Sequence, residues 1–183
     1  MNNLKSRRAF IVGLSSTKIT NKERHFLRKY KPWGVILFAR NIKSVDQTKK
    51  LTNDIKKIFK DSKYPILIDE EGGMVSRIRS IIDNSHFPAK YFGDNYKKDK
   101  TKSLLYLRTY IKQISHLLRY MGISINTVPV LDIPRPFTSK VIGTRAISKD
   151  INVINKIGEK TIEHFQEARI ATVIKHIPGH GLA

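Results

Sequence analysis

The stretch Ile170-Ala-Thr-Val-Ile-Lys-His-Ile-Pro-Gly-His-Gly-Leu-Ala183 decides how the rest of the chain is interpreted. A short, β-branched apolar run leads directly into a lysine and a histidine, and Pro178-Gly179 then break the regular structure. This pattern is typical of a buried parallel strand, and in α/β folds the polar residues after the carboxyl ends of the strands carry the chemistry. Lys175 and His176 are therefore the first candidate site residues.

Four earlier apolar runs have the same character and predict further strands. They cover residues 9–14, 35–38, 64–68 and 123–133. Pro129 predicts a bend inside the last of these, because proline cannot donate to a strand ladder. Each run is followed by a polar or glycine-rich loop, so we expect the five loops to meet at one edge of a sheet.

Helix signals occupy most of the intervals between these runs. Thr20-Asn-Lys-Glu23 and Ser44-Val-Asp-Gln47 are capping boxes, and Asp150 is a good N-cap. Apolar residues at alternating three and four spacings predict a long helix that ends at Gly122. Residues 80–100 are predicted to be loop, with a solvated charged tract at their end.

The alternation of strands and helices predicts one α/β domain over residues 1–183, built on a parallel sheet. Five strands satisfy an open doubly wound sheet, whereas a closed (β/α)8 barrel usually needs about 250 residues. Composition and periodicity leave both architectures open.

Charge and cysteine content narrow the classes of partner and compartment. Thirty-five Lys and Arg against 15 Asp and Glu give a net charge of +20, which would attract polyanions. The basic residues are scattered, without an Arg-rich arm or a nucleic-acid-binding motif, so we expect a solvated Lys-rich surface and no specific nucleic-acid partner. The chain has no cysteine, which fits a reducing, cytoplasmic location, and no apolar run long enough to span a membrane.

The second candidate site follows the run at residues 64–68. Asp69-Glu70-Glu71 stand beside two glycines that let a ligand approach the backbone, which indicates a sugar or phosphate site. The alternative is that these carboxylates only cap the next helix or pair with Arg77 and Arg79. Asp69, the first residue after the strand, is the preferred candidate because a carboxylate can accept hydrogen bonds from two sugar hydroxyls at once.

Other common chemistries find little support. His176 and His180 are four residues apart, but the intervening Pro178-Gly179 argue against a shared helix face and against a metal site. The sequence contains no Walker-type phosphate loop, no G-x-G-x-x-G and no G-x-S-x-G nucleophile elbow.

Five ordered motifs resemble those of the family 3 glycoside hydrolases, and in particular the cytoplasmic β-N-acetylhexosaminidases of bacterial cell-wall recycling. The motifs are Gly34-Val-Ile-Leu-Phe-Ala-Arg-Asn41, Asp69-Glu-Glu-Gly-Gly73 with Arg77, Pro129-Val-Leu-Asp132, Val141-Ile-Gly-Thr-Arg145 and Lys175-His-Ile-Pro-Gly-His-Gly181. The resemblance implies a parallel (β/α)8 TIM-barrel type of fold, of which about five of the eight strands are present.

The resemblance also implies the site and its ligand. A terminal N-acetylglucosamine, without a cofactor or metal, would be held by the residues at the matching positions, namely Asp69, Arg77, Arg145, Lys175 and His176. The family pattern usually has Asp-Gln-Glu-Gly-Gly-Arg, so Glu70 and Met74 depart from it. Thr144 replaces a residue that is commonly acidic, which puts the ion pairing of the following arginine in doubt.

No catalytic residue can be assigned by this resemblance. Family enzymes are retaining, with an aspartate nucleophile and, in this subgroup, a histidine acid/base. Both are expected beyond Ala183, so we expect the chain to be inactive alone. The alternatives are a non-catalytic sugar-binding fragment, half of a split enzyme with a separately encoded C-terminal half, or a basic nucleic-acid-binding protein.

Overall fold

Five parallel strands, each hydrogen-bonded to the next in chain order, form one sheet. The structure is a computed structural model that describes residues 7–137 and 139–181. The strands are β1 (Arg8–Gly13), β2 (Pro32–Leu37), β3 (Ile66–Ile68), β4 (Ile125–Asn126) and β5 (Ala171–Thr172). A doubly wound sheet reverses its strand order at a switch point, whereas a barrel adds strands consecutively. The observed order confirms the predicted barrel-type α/β fold.

The register of the strands places their carboxyl ends at the same level. Leu37 pairs with Ile68, Ile68 pairs with Asn126, and Asn126 pairs with Thr172. The residues that follow each strand therefore emerge side by side. We call this edge of the sheet the rim.

Within the described residues, five helices cover the sheet. They are α1 (Asn21–Tyr30), α2 (Val45–Phe59), α3 (Ala89–Lys98), α4 (Lys100–Tyr120) and α5 (Ile151–Glu167). Short 3-10 turns at Ala39–Asn41 and Gly143–Arg145 complete the loops after β2 and β4.

The predicted helix starts are observed. Thr20 and Glu23 form the complete capping box of α1, and the Asp150 side chain accepts a hydrogen bond at the start of α5. At α2 the box is half formed: Ser44 accepts from the backbone N–H of Gln47, but the Gln47 side chain accepts from Lys43 instead.

Helix α3 corrects the prediction of a loop at residues 80–100. It begins after Pro88 and buries Phe92 and Gly93. A Cβ built on Gly93 would lie 2.0 Å from the carbonyl oxygen of Ile147. Because glycine has no Cβ, α3 can pack directly against the loop that contains Ile147. The segment has few apolar residues and many lysines, which gives a weak periodic signal.

The core lies between the sheet and the helices. Every residue of β3 is buried. The apolar stripe predicted from Leu104 to Met121 lies on α4 and its C-terminal cap, and it is buried from Leu107 onwards. Tyr64, fully buried before β3, stacks on Phe59 with ring centroids 3.9 Å apart and donates its hydroxyl proton to the carbonyl of Pro32.

Both outer strands of the sheet have one unpaired side within residues 7–137 and 139–181. Strand β1 pairs with β2, and β5 pairs with β4. Apolar side chains are exposed at both places, among them Ile11, Val173, Ile174 and Ile177, the last of which is 80% exposed. Across the same residues, no helix combines the length with the apolar character that a membrane crossing would need.

Candidate functional site

The loop after β3 is fixed by Glu70, whose side chain points inward and is buried. Its carboxylate accepts from the hydroxyl of Ser76 at 3.1 Å, from the backbone N–H groups of Arg77 and Ile78 at 2.8 and 3.2 Å, and from the amide of Asn84 at 2.6 Å. Burial raises the pKa of Glu70, although these hydrogen bonds act in the opposite direction. Glu70 therefore organises the loop and is not available to a ligand.

Two glycines let the same loop turn sharply. Gly72 and Gly73 have φ angles of 77° and 60°, and a Cβ on Gly72 would lie 2.4 Å from the carbonyl oxygen of Phe87. Arg79 donates to the carbonyl of Gly73 at 2.6 Å, so this arginine stabilises the loop in which Met74 replaces the usual family arginine.

Asp69 lies at the rim directly after β3 and is surrounded by donors. It accepts a hydrogen bond from the hydroxyl of Thr127, Lys175 Nζ lies 3.0 Å from its Oδ1, and Arg77 Nη2 lies 3.6 Å from its Oδ2. Burial raises the pKa of Asp69, but the Thr127 hydrogen bond and the positive charges lower it further, so the net shift is downward. Asp69 is therefore held as a carboxylate that remains partly accessible.

Glu71 joins two basic residues from distant parts of the chain. Arg145 binds its carboxylate with two parallel hydrogen bonds, Nε to Oε2 at 2.8 Å and Nη2 to Oε1 at 3.0 Å, and Lys175 Nζ lies 2.6 Å from Oε1. The side chains of Glu71 and Arg145 are only 3% and 11% exposed. The hydrogen bond to Glu71 raises the pKa of Arg145, which keeps this guanidinium charged.

Asp132 holds the segment after β5. Its Oδ2 lies 2.6 Å from Nδ1 of His176 and accepts from the backbone N–H of His176 at 3.2 Å, while Oδ1 accepts from the backbone N–H of His180 at 2.7 Å. Burial raises the pKa of Asp132, but the hydrogen bonds and charge of His176 outweigh it and lower the pKa. The carboxylate orients the imidazole ring and leaves Nε2 directed towards Arg145 Nη2, 3.4 Å away.

All five residues of the predicted sugar site converge on this rim: Asp69, Arg77, Arg145, Lys175 and His176. Lys175 lies at the centre, because it contacts both Asp69 and Glu71. The site alternates carboxylates with cations in a continuous chain of contacts. Such an arrangement offers both acceptors and forked donors to the hydroxyl groups of a sugar.

Sequence reasoning missed three residues of this arrangement. Glu71 was part of the acidic candidate group but was not selected from it, yet it is the partner of Arg145 and supplies the ion pair that Thr144 put in doubt. Asp132 was recognised only as the last residue of a motif at the end of a strand, and its place two residues before Pro134 gave no sign of its partner. Thr127 carried no signal at all, since its role depends on the pairing of β3 with β4.

Metal-binding geometry does not occur at the rim within the residues that the structure describes. His176 and His180 lie side by side, with ring centroids 5.0 Å apart, although no helix joins them. The three side chains whose ligand atoms do come together are Glu163, His164 and Glu167, on the last turns of α5. Glu163 is already paired with Lys160.

Comparison with known families agrees with the fold and the motifs. The model of the glycosyl hydrolase family 3 N-terminal domain matches residues 3–183. The chain belongs to this family. Its motifs are thus those of a family of glycosidases, and the barrel-type sheet is the fold of the family's N-terminal domain.

Individual proteins and solved structures are also similar to this chain. A β-hexosaminidase of Xanthomonas euvesicatoria pv. vesicatoria is 30% identical over 93% of the chain and 50% of its own length. NagZ from Neisseria gonorrhoeae in complex with N-trifluoroacetyl-D-glucosamine superposes with a TM-score of 0.84 and 25% identity, over 96% of the chain and 51% of NagZ. A zinc complex of the same NagZ gives a TM-score of 0.87 at 24% identity, over 97% of the chain and 53% of NagZ. The family 3 chain therefore spans about half the length of the proteins that it matches.

Proposed function

We propose that the rim binds the non-reducing terminal β-linked N-acetylglucosamine of a peptidoglycan fragment, and that the chain contributes this sugar-holding part of a β-N-acetylhexosaminidase. The observation that carries the proposal is the continuous chain of contacts from Asp69 through Lys175 and Glu71 to Arg145. Support comes from the β-hexosaminidase relatives and from the N-acetylglucosamine analogue bound by NagZ. The absence of cysteine fits a cytoplasmic role in cell-wall recycling.

The chemistry of each side chain suits this ligand. Asp69 presents a partly accessible carboxylate that can accept from two vicinal hydroxyls, while Arg77, Arg145 and Lys175 can donate to sugar oxygens. His176 Nε2 adds a group that Asp132 keeps in one orientation. Because each charged group is already placed by a neighbour, sugar binding requires little reorganisation of the site.

A retaining glycosidase also needs a nucleophile and an acid/base on either side of the glycosidic bond. Among the described rim residues, Asp69, Glu71 and Asp132 are each engaged by cations or backbone N–H groups. We therefore infer that these three carboxylates hold and orient, and that residues other than the ones described supply bond cleavage. The chain by itself then binds the sugar without turnover.

The test is incubation of the purified chain with a chromogenic N-acetyl-β-glucosaminide, alongside calorimetric titration with N-acetylglucosamine and with glucose. We expect binding of N-acetylglucosamine, weaker binding of glucose, and no release of chromophore. Turnover that is lost in Asp69→Ala would show that the chain holds its own catalytic residues. Absence of binding to either sugar would contradict the proposal.

A second candidate function is that of one half of a split enzyme. Among the residues that the structure describes, β1 and β5 each pair on one side only, and Val173 and Ile174 are exposed, which favours a partner that adds further strands. Mixing the chain with the C-terminal half of a β-hexosaminidase relative tests this. Recovery of chromophore release, dependent on both parts, is the expected result, and failure of the two parts to associate would exclude it.

A further inference from the structure

The outer face of α4 carries a row of basic side chains that the rim does not use. Arg108, Lys112, His116 and Arg119 follow one another at helical spacing, and all four are exposed. At a rise of 1.5 Å per residue the row is about 16 Å long. It is therefore an extended strip of positive charge on one helix.

The row forms one wall of a groove with a volume of about 1020 Å³, and the C-terminal end of α5 forms the other. Glu167 is the one carboxylate among the described residues that line it. His164 Nδ1 lies 3.1 Å from that carboxylate, and Arg119 donates to the carbonyl of Ala168 at 3.3 Å. The α5 wall of the groove therefore does not neutralise the positive charge in the middle of the row.

Arg108 and Lys112 are the uncompensated part of this surface. Within the part of the chain that the structure describes, neither side chain makes an ion pair or a hydrogen bond. By contrast, Lys50 on α2 pairs with Asp54, and Lys90 on α3 pairs with Asp94. The row therefore keeps its charge free for an anionic ligand.

An aromatic ring stands at one end of the groove. Tyr120 lines it and is 50% exposed, and Lys49 Nζ lies 3.9 Å from the centroid of its ring. Exposed aromatic rings beside a basic groove are the usual platform for bases of single-stranded nucleic acid. A bilayer surface would require a flat or protruding apolar face, which a concave groove does not offer.

We propose that this groove binds the phosphate backbone of single-stranded nucleic acid without sequence preference, with one base stacked on Tyr120. The net charge of +20 draws the polyanion to the protein, and the concave groove focuses that attraction on the row. The sequence alone predicted a uniformly solvated basic surface. The folded chain instead gathers four of the basic side chains along one wall.

The test is fluorescence anisotropy with a labelled twelve-nucleotide oligo(dT), measured as a function of salt. The variant Arg108→Gln/Lys112→Gln/Arg119→Gln removes the three permanent charges of the row. Each phosphate contact on a single strand contributes about 0.7 to the slope of log K against log salt, so the slope should become shallower by about 2. Affinity at 100 mM salt should fall at least tenfold.

The matched control is Lys22→Gln/Lys97→Gln/Lys98→Gln, which removes three exposed charges elsewhere. It should change the affinity less than threefold. Equal losses in the two triple variants would overturn the proposal, because the attraction would then be diffuse. No binding by the wild type at 100 mM salt would overturn it as well.

Three further measurements test base stacking, membrane binding and the integrity of the fold. Tyr120→Ala should weaken oligonucleotide binding severalfold, whereas Tyr120→Phe should retain it, and an equal effect of the two changes would contradict base stacking. Binding to anionic phosphatidylglycerol vesicles that depends on the row, in the absence of oligonucleotide binding, would reject nucleic acid in favour of a membrane. N-acetylglucosamine binding, measured in parallel, should be unchanged in every groove variant.

Discussion

The two segments that build the rim are held by two different carboxylates. Glu70 fixes the loop after β3, and Asp132 fixes the segment after β5. Every donor to the Glu70 side chain is neutral, and burial raises its pKa. Asp132 faces His176, and the net effect is a lowered pKa. The first segment therefore needs acceptor atoms at that position, whereas the second needs a negative charge.

Glu71 connects the two segments, so its removal should have the largest effect on stability. Glu71→Ala leaves Arg145 and Lys175 buried or half-buried without their shared carboxylate. Loss of one partner from a buried ion pair costs about 3–5 kcal/mol, and we expect a loss of unfolding free energy in that range. Urea denaturation checks this, with Glu159→Ala on the exposed surface of α5 as the control. A change below about 1 kcal/mol would show that the two segments do not depend on each other.

Asp132→Ala should have the next largest effect on stability, and it should loosen the segment after β5. It leaves the backbone N–H groups of His176 and His180 and one ring nitrogen without their acceptor, at a cost of about 1–3 kcal/mol. N-acetylglucosamine affinity should fall about tenfold or more, because the His176 ring loses its orientation. Asp132→Asn, which keeps acceptor atoms but not the charge, should be intermediate. An Asn variant equal to wild type in affinity would contradict the need for charge.

The contribution of Asp132 to stability should also depend on pH. Its pKa in the folded state lies below the unfolded value of about 3.9, so the contribution is present above that pH and is lost as the pH falls through the folded pKa. Thermal unfolding of the wild type and Asp132→Asn should converge in acid. A difference in unfolding temperature between the two proteins that widens in acid would contradict a lowered pKa of Asp132.

Glu70→Gln should have a smaller effect on the free energy of unfolding, and the effect should be stabilising. A glutamine would keep an acceptor for Ser76 and two backbone N–H groups, and a flipped Asn84 amide could offer its oxygen, which is buried without a partner in the structure. Since the raised pKa means that ionisation of Glu70 costs stability above the unfolded value of about 4.3, its replacement should stabilise the fold by about 1 kcal/mol at pH 7 and by less at pH 4. Destabilisation at pH 7 would show that the charge is needed.

The smallest effect should come from the unpaired edge at β5. Ile177→Ser changes a side chain that is 80% exposed, so we expect a change in unfolding free energy within about 0.5 kcal/mol. Solubility at high concentration should improve, because an exposed apolar group near a sheet edge is removed. A loss above 1 kcal/mol would show that this segment packs against something in solution.

The same comparison explains what the sequence could predict. Strands and capped helices follow from local apolar runs and short polar motifs, so the positions of all five strands and the starts of α1 and α5 were predicted correctly. The extent of β4 was not, since the strand covers only Ile125–Asn126 of the predicted run at residues 123–133. Helix α3 was not, because glycine and a run of lysines hide its apolar face. Asp69 and Lys175 were selected because they follow apolar strands, and Arg145 was selected by family resemblance. Neither kind of evidence carries contact information.

The partners of those residues could not be predicted, because they are set by strand register over long separations. Thr127 reaches Asp69 only when β4 pairs with β3 in the observed register. Glu71 and Arg145 are 74 residues apart and meet through the loop that follows β4. Local patterns do not encode such distances.

The most direct test of the account is the dissociation constant of N-acetylglucosamine for the wild type, Asp69→Ala and Asp94→Ala, measured by calorimetry at pH 7. Asp69 lies at the rim among three donors, whereas Asp94 is an exposed carboxylate on α3 that pairs with Lys90. We expect Asp69→Ala to weaken binding at least tenfold and Asp94→Ala to leave it unchanged. Equal affinities in all three proteins would contradict the central claim that this rim holds the sugar.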